Sequence, residues 1–349
     1  MPSSSRPARH FASDNWAGVH PDVLAALARV NTGHAESYGF DDYTKGVVER
    51  VGNELKAEAV YFVFTGTGAN VLALQTVARP HNAVICAYTA HVHTSECGAA
   101  ENHIGCKLLP VSTQDGKLNR ERIRSHLHDI GNEHHVQPSA VSISQATEYG
   151  TVYTRNEIEV IAAFAHDHDL RLHMDGARLF NAAASLGASL RDLTSGAGVD
   201  VLSLGGTKNG GMAAEAVVFF DASLAKSFEF QRMQGMQLSS KMRFIAAQFD
   251  ALFTGELWLR NAEHANSMAK LLAEELRPIA GVRINQKVEA NEIFAVLPRE
   301  LIAPLQEHAL FHVWKEAISE ARFVTSFDTT EEEVRSFGAK AKELAREAR

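Results

Sequence analysis

A lysine set among small residues, in S-L-G-G-T-K-N-G-G, is the first feature of the chain with a chemical reading. Lys208 follows a short apolar run over 201–204 and sits in a glycine-rich turn. Most lysines are solvated surface charges, and this setting fits that use poorly. Burial beside a strand pushes an amine toward its neutral, nucleophilic form. The second feature is L-H-M-D-G-A-R-L-F, where Asp175 follows an apolar run over 170–174 and Arg178 lies three residues further on. A carboxylate at the carboxyl end of a parallel strand lies where open α/β sheets bind ligands. Taken singly, an aspartate before a helical run is also a good N-cap. The third feature is T-G-T-G-A-N over 65–70, between a buried run and the helical stretch V-L-A-L-Q-T-V-A. Small residues there let backbone N–H groups approach a phosphate at a helix N-terminus. Alone, it also fits an ordinary strand-to-helix turn, because it lacks the P-loop lysine and the third glycine of a dinucleotide fingerprint.

The three features occur in the order that a pyridoxal 5'-phosphate site requires. That cofactor needs a phosphate cup, an acid opposite its pyridine nitrogen and a lysine to join its aldehyde. Asp175 as a carboxylate would keep the ring nitrogen protonated, and the positive ring would accept electrons from a substrate Cα. Lys208 would be displaced by a substrate amine, which requires a neutral amine and hence a lowered pKa. Metal is the competing use for the 17 histidines. The pairs His91 and His93, His134 and His135, and His166 and His168 lack an HExxH arrangement or an accompanying ligand pair, so no metal site is expected.

These groups need a scaffold. From about residue 55 to about residue 220, short apolar, β-branched runs alternate with helix-like stretches. Strands are expected over 60–64, 83–87, 108–111, 140–144, 170–174, 201–204 and 216–220. Their near-continuous apolarity marks them as buried on both faces, which predicts an α/β fold with a mostly parallel seven-stranded sheet sandwiched by helices. Thr154 and Glu157 form a capping box, and Ile158, Ile161, Ala162 and Ala165 then share one helical face. After about residue 250 comes a long helix, L-W-L-R-N-A-E-H-A-N-S-M-A-K-L-L-A-E-E-L, with short strands at 282–284 and 292–297 and a charged helix from near Thr330. The expected division is a surface arm over 1–20, a large cofactor-binding domain over 21–250 and a smaller C-terminal α+β domain over 251–349.

With 349 residues, 45% of them apolar, the chain can bury a sizeable core. Its net charge of -8, with acids and bases interleaved, argues against a nucleic acid or membrane partner and for a small-molecule ligand. Cys86, Cys97 and Cys106 show no CxxC spacing, so a reducing cytoplasm is the expected setting. The stretch M-P-S-S-S-R-P-A-R-H-F-A-S-D-N-W lacks a signal peptide's apolar segment, and no window approaches a membrane span.

The motifs F-A-S-D-N-W, Y-G-F-D-D-Y-T, T-G-T-G-A-N, A-H-V-H-T-S-E-C-G-A, I-S-Q-A-T-E-Y-G-T-V-Y-T, H-M-D-G-A-R-L-F, G-G-T-K-N-G and R-F-V-T-S-F run in order along nearly the whole chain. In them the chain resembles the fold-type I pyridoxal-phosphate enzymes, and within these the low-specificity L-threonine aldolases and related β-eliminating lyases. The resemblance implies Lys208 as the cofactor's lysine, Asp175 as the pyridine partner, and Gly66 with Thr67 as the phosphate cup. It implies His91 stacked on the ring, with Gln145, Arg178, Thr207 and Lys241 as further cofactor contacts. Ser13, Arg178 and Arg322 match positions that hold a substrate carboxylate, where two arginines can donate paired hydrogen bonds. Tyr38, in the substrate set, and Lys241 are expected to reach a neighbouring subunit's site in a homodimer or homotetramer.

The implied reaction is retro-aldol cleavage of L-threonine, L-allo-threonine or phenylserine to glycine and an aldehyde. His91, His135 or Glu96, directly or through water, would take the β-hydroxyl proton. The alternatives are β-elimination or transamination at the same lysine, or phenylserine as the main substrate. Two places depart from the commoner pattern: S-Q-A-T-E puts Thr147 where many aldolases have a histidine, and G-G-T-K-N-G replaces a K-G-L-G-A-P form.

Overall fold

The structure is a computed structural model that describes residues 10–347. Seven apolar segments form the large sheet: β1 (Ala59–Val63), β2 (Asn82–Ala87), β3 (Lys107–Val111), β4 (Gln137–Ser144), β5 (Arg171–Gly176), β6 (Val201–Gly205) and β7 (Glu215–Phe219). Their spatial order is β1-β7-β6-β5-β4-β2-β3. Strands β3, β2, β4, β5 and β6 are mutually parallel, and β7 alone runs against both of its neighbours. The expected strands are all present, shifted by one to three residues at their ends. The first ends at Val63, which pairs with Glu215, the first residue of β7.

Helices cover the sheet. The capping box of the helix Arg155–His166 forms as expected: Glu157 N–H donates to Thr154 Oγ1 at 3.3 Å, and Thr154 N–H donates to Glu157 Oε2 at 2.7 Å. Ile158, Ile161, Ala162 and Ala165 are buried below it. The main core, with Ile85, Val141, Leu172, Met174, Leu202 and Val217 at its centre, has no measurable exposure at these positions. Each such side chain stabilises the fold by roughly 1.5–3 kcal/mol through burial.

The long helix Leu257–Leu276 leads from this core into a second one. There an antiparallel sheet, β10-β11-β9-β8, is built from β8 (Arg283–Ile284), β9 (Glu292–Val296), β10 (His312–Lys315) and β11 (Glu320–Val324). The sequence reading found the first two and missed β10 and β11. In H-V-W-K and E-A-R-F-V the polar residues carry no clean apolar alternation, and pairing with neighbours is what places Glu320 inside. The helix Glu331–Glu347 closes this core with Val334, Phe337 and Ala341.

The N-terminal arm expected on the surface differs as well. Residues 1–9 lie outside the described residues, but Phe11 and Ala12 are almost wholly buried. Phe11 N–H donates to Leu310 O at 2.6 Å, Phe11 O accepts from Val324 N–H at 2.8 Å, and its ring packs edge-on against Phe337. An aromatic side chain that satisfies its backbone on the small sheet gains more by burial than by solvation.

Candidate active site

Four segments end at the carboxyl edge of the parallel strands, and each contributes chemistry there. Lys208 lies in the 3₁₀ turn Thr207–Asn209 after β6. The turn needs its glycines: at Gly210, φ is +103° and a Cβ would come within 3.0 Å of His20 Cβ. Burial and the Arg178 guanidinium push the Lys208 amine below its usual value, against the pull of Asp14, Asp175 and Glu292.

Asp175 is the next-to-last residue of β5. Its Oδ1 accepts the Ala177 N–H at 3.0 Å and its Oδ2 accepts Asn70 Nδ2 at 2.9 Å. Burial raises its carboxyl, but Lys208 and these two donors outweigh that and hold it below the ordinary carboxylate range. The same Asn70 Nδ2 donates at 2.8 Å to Glu96 Oε1, and that oxygen lies 2.8 Å from His91 Nδ1. One amide thus ties the Asp175 carboxylate to a Glu96–His91 pair. The Glu96 side chain is fully enclosed while that of His91 is 44% exposed, so its Nε2 faces the open side.

Thr65 caps the helix Gly66–Val77, accepting Gly68 N–H at 3.0 Å, and leaves Gly66 and Thr67 at the helix N-terminus. Beside them stands Glu215, the first residue of β7, paired in register with both Val63 and Gly205. It accepts the Thr207 hydroxyl, and burial pushes its carboxyl from 4.5 up to about 7. A carboxyl raised in the fold contributes fully below the unfolded value and loses that contribution as pH rises through about 7. In cofactor-free protein, Glu215→Gln should therefore match the parent's stability near pH 4.5 and exceed it by on the order of 2 kcal/mol at pH 8.5. Denaturant melts at the two pH values check this, and an equal offset at both would refute it.

The arginines expected to hold a carboxylate are also brought together. Arg178 Nε and Nη2 donate to Asp14 Oδ2 and Oδ1 at 2.7 and 2.9 Å, and Asn291 Nδ2 adds a third donor to Asp14 at 3.0 Å. Burial raises the Asp14 carboxyl, yet Arg178, Lys208 and these bonds bring it down to about 2. Burial disfavours the Arg178 charge, but Asp14 and Glu292 overcome it and keep the guanidinium firmly protonated. Arg322 donates to Glu292 Oε1 from both Nε and Nη2, and Ser13 Oγ accepts the Asn15 N–H at 3.1 Å in the turn beside Asp14.

Several expected residues lie elsewhere. Gln145 is fully buried and its amide is spent on Tyr153: Nε2 donates to Tyr153 O at 2.8 Å and Oε1 accepts Tyr153 N–H at 3.0 Å. Glu148, three residues on, turns toward His91 instead: its Oε1 accepts His91 N–H at 2.9 Å and Ser144 Oγ at 2.6 Å. Burial and Asp175 raise its carboxyl despite these donors. His135 pairs with Asp129 at 3.3 Å in the loop entering β4, at the opposite edge of the sheet. The eight residues of β4 separate it from the site by roughly 25 Å, so it is not the base within its own chain. Tyr38 and Lys241 sit together on the outer surface, where Tyr38 N–H donates to Ser240 O at 2.9 Å. Neither side chain has a hydrogen-bonding partner among the described residues.

Asn70 Oδ1, Glu96 Oε2, Glu148 Oε2 and Glu292 Oε2 are buried without a partner. Each such atom costs on the order of 1–3 kcal/mol, and three of the four belong to the hydrogen-bonded network that joins Asp175, Asn70, Glu96, His91 and Glu148. Asn70, Glu96, Glu148, Asp14, Glu215 and Glu292 had no functional reading, or in the case of Glu96 only that of a base, in the sequence. The local signal was their position in motifs: Asp14 in S-D-N, Asn70 in T-G-T-G-A-N, Glu96 in A-H-V-H-T-S-E-C-G-A and Glu148 in S-Q-A-T-E.

Comparison with known proteins identifies the family of the chain. Residues 10–299 match the family described as beta-eliminating lyase. A low-specificity L-threonine aldolase of Pseudomonas aeruginosa is 42% identical over 343 residues, 98% of this chain and 97% of that protein. One from a Pseudomonas sp. is 40% identical over 333 residues, 95% of this chain and 96% of that protein. A solved structure titled as a threonine aldolase of Leishmania major superposes with a TM-score of 0.91 at 32% identity, covering 97% of this chain and 99% of that one. By family match, by near full-length identity and by its seven-stranded fold-type I architecture, this chain is a member of the beta-eliminating lyase family.

Proposed function

We propose that the protein binds pyridoxal 5'-phosphate and cleaves L-threonine, L-allo-threonine and related L-β-hydroxy-α-amino acids such as phenylserine to glycine and an aldehyde. The observation that carries this is the convergence of Lys208, Asp175 and the Glu96–His91 pair on one sheet edge, facing two arginines. When bound, the cofactor supplies an electron sink for the pair released as Cα–Cβ breaks.

The chain's own residues do the rest. Gly66 and Thr67 N–H groups at a helix N-terminus, with the Thr207 hydroxyl, would hold the phosphate. Asp175, kept as a carboxylate, would hold the proton on the ring nitrogen. Lys208, with its lowered pKa, offers a neutral amine for attachment. Arg178 and Arg322 orient the substrate carboxylate and thereby the bond to be broken. Glu96 accepts the proton on His91 Nδ1, so the tautomer leaves a lone pair on Nε2 to take the β-hydroxyl proton as the C=O bond forms.

That division of labour makes Glu96 a positioning residue. Glu96→Gln should lower kcat by on the order of 10²–10³ with KM little changed, because the imidazole loses its tautomer and orientation. A rise in KM with kcat unchanged would assign Glu96 to substrate binding instead. The direct test of the activity is release of aldehyde and glycine from L-threonine, L-allo-threonine and phenylserine, with the D-enantiomers as controls. Stoichiometric aldehyde and glycine from an L-substrate support the aldolase; ammonia and a keto acid would make the enzyme an eliminase or transaminase.

Tyr38 and Lys241, exposed and unengaged in their own chain, would complete the site of a neighbouring copy in a homodimer or homotetramer. Monomeric protein that holds cofactor tightly would overturn this. Three free cysteines, and the absence among the described residues of a helix long and apolar enough to cross a membrane, support a cytoplasmic setting.

A further inference from the structure

Glu292 stands where an outside carboxylate is expected. Its Oε1 is shared by both substrate-binding arginines: Arg178 Nη2 lies 3.6 Å away, and Arg322 approaches with Nε at 3.0 Å and with Nη2. The whole Nε–Nη2 edge of Arg322, the edge that grips a carboxylate in paired fashion, is therefore taken by one oxygen of this chain. The Glu292 side chain has no exposure, and its Oε2 is buried without a partner. Gly150 leaves the room for it, because a Cβ on Gly150 would come within 2.9 Å of Glu292 Cβ.

Asp14 is different. Both of its oxygens are engaged by Arg178, and one also by Asn291, so it braces Arg178 from behind. Glu292 is incompletely satisfied and is bound as a ligand would be. Charge leads to the same point. Asp14 and Glu292 match Arg178 and Arg322 in charge, so a substrate carboxylate must compete with Glu292 for the two guanidiniums.

We propose that Glu292 is an internal stand-in for the substrate carboxylate, which keeps Arg178 and Arg322 poised in the resting enzyme and competes with bound amino acid for them. The proposal rests on the aldolase reading and extends it: the residue weakens binding of every α-carboxylate ligand, glycine included, and so favours product release. A glutamate that only braced the small sheet would not distinguish an anionic ligand from a neutral one.

The test is calorimetric titration of cofactor-loaded protein with glycine and with glycinamide, which lacks the carboxylate charge. Glu292→Gln preserves shape and an acceptor while removing the competing charge. It should bind glycine about tenfold more tightly and leave glycinamide within about twofold of the parent. KM for L-threonine should fall with no gain in kcat. Equal shifts for both ligands, or weaker glycine binding, would overturn the proposal. Glu292→Met, of similar length and apolar, repeats the comparison should the glutamine variant fail to load cofactor; if neither variant folds, Glu292 is a structural brace and the proposal falls. Parent protein that binds glycine yet releases no aldehyde would refute the aldolase reading while leaving the ligand comparison to decide the role of Glu292.

Discussion

Replacing Lys208 with alanine should lower kcat for aldehyde release by on the order of 10⁴ or more, the scale of losing a covalent catalytic group. The reason lies in the position of the amine. Burial and Arg178 hold its pKa down, so at neutral pH a larger share is unprotonated and nucleophilic than for a surface lysine. Because its charge is already disfavoured by burial, the alanine variant should fold normally. The measurement is paired: turnover, and mass of the chain after borohydride treatment with cofactor. The parent should retain the cofactor covalently and the variant should not, and added methylamine should restore part of the activity. Retained turnover together with retained covalent cofactor would mean that another lysine does the work.

Asp175→Asn should lower kcat by on the order of 10²–10³, the scale of removing one preorganised electrostatic partner from a reacting group. The effect should divide in a specific way. Asparagine preserves shape but offers one acceptor oxygen where aspartate serves both Asn70 Nδ2 and Ala177 N–H, so one of these donors meets an NH₂ group. A stability cost of about 1–3 kcal/mol should accompany the kinetic loss. The sign with pH follows from the lowered carboxyl: its stabilising contribution is present above the unfolded value of 3.8 and is lost only as pH falls through the lower folded value. The stability gap between parent and variant should then hold steady from pH 5 to pH 8 and narrow in acid. A variant with unchanged kcat would remove Asp175 from the ring nitrogen.

Much of this was legible in the chain. Buried parallel strands read as continuous apolar runs, and a ligand site forms at their carboxyl ends, so Lys208, Asp175, His91 and Gly66 are found one after another at the places where such runs stop. Side-chain direction was not legible. Gln145 lies beside the site in sequence, but its amide is spent on Tyr153 while Glu148 turns inward. His135 had the right chemistry at the wrong end of β4, because residue type carries no information on which sheet edge a loop occupies. The strands β10 and β11 escaped because a buried polar residue such as Glu320 is satisfied by a partner well away in the chain, Asn285, 35 positions before it.

The sequence by itself determined the order of the motifs, the chemical types at the strand ends and the seven strands, since these depend on burial and on contacts between near neighbours. Tertiary structure decided who partners whom. Asp14 meets Arg178 across 164 positions and Asn70 meets Asp175 across 105. Glu215 reaches the site only because β7 runs antiparallel and so begins at the edge where its neighbours end. Strand direction and sheet order are fixed by how the whole chain packs its apolar faces, and periodicity over a few residues does not record that choice.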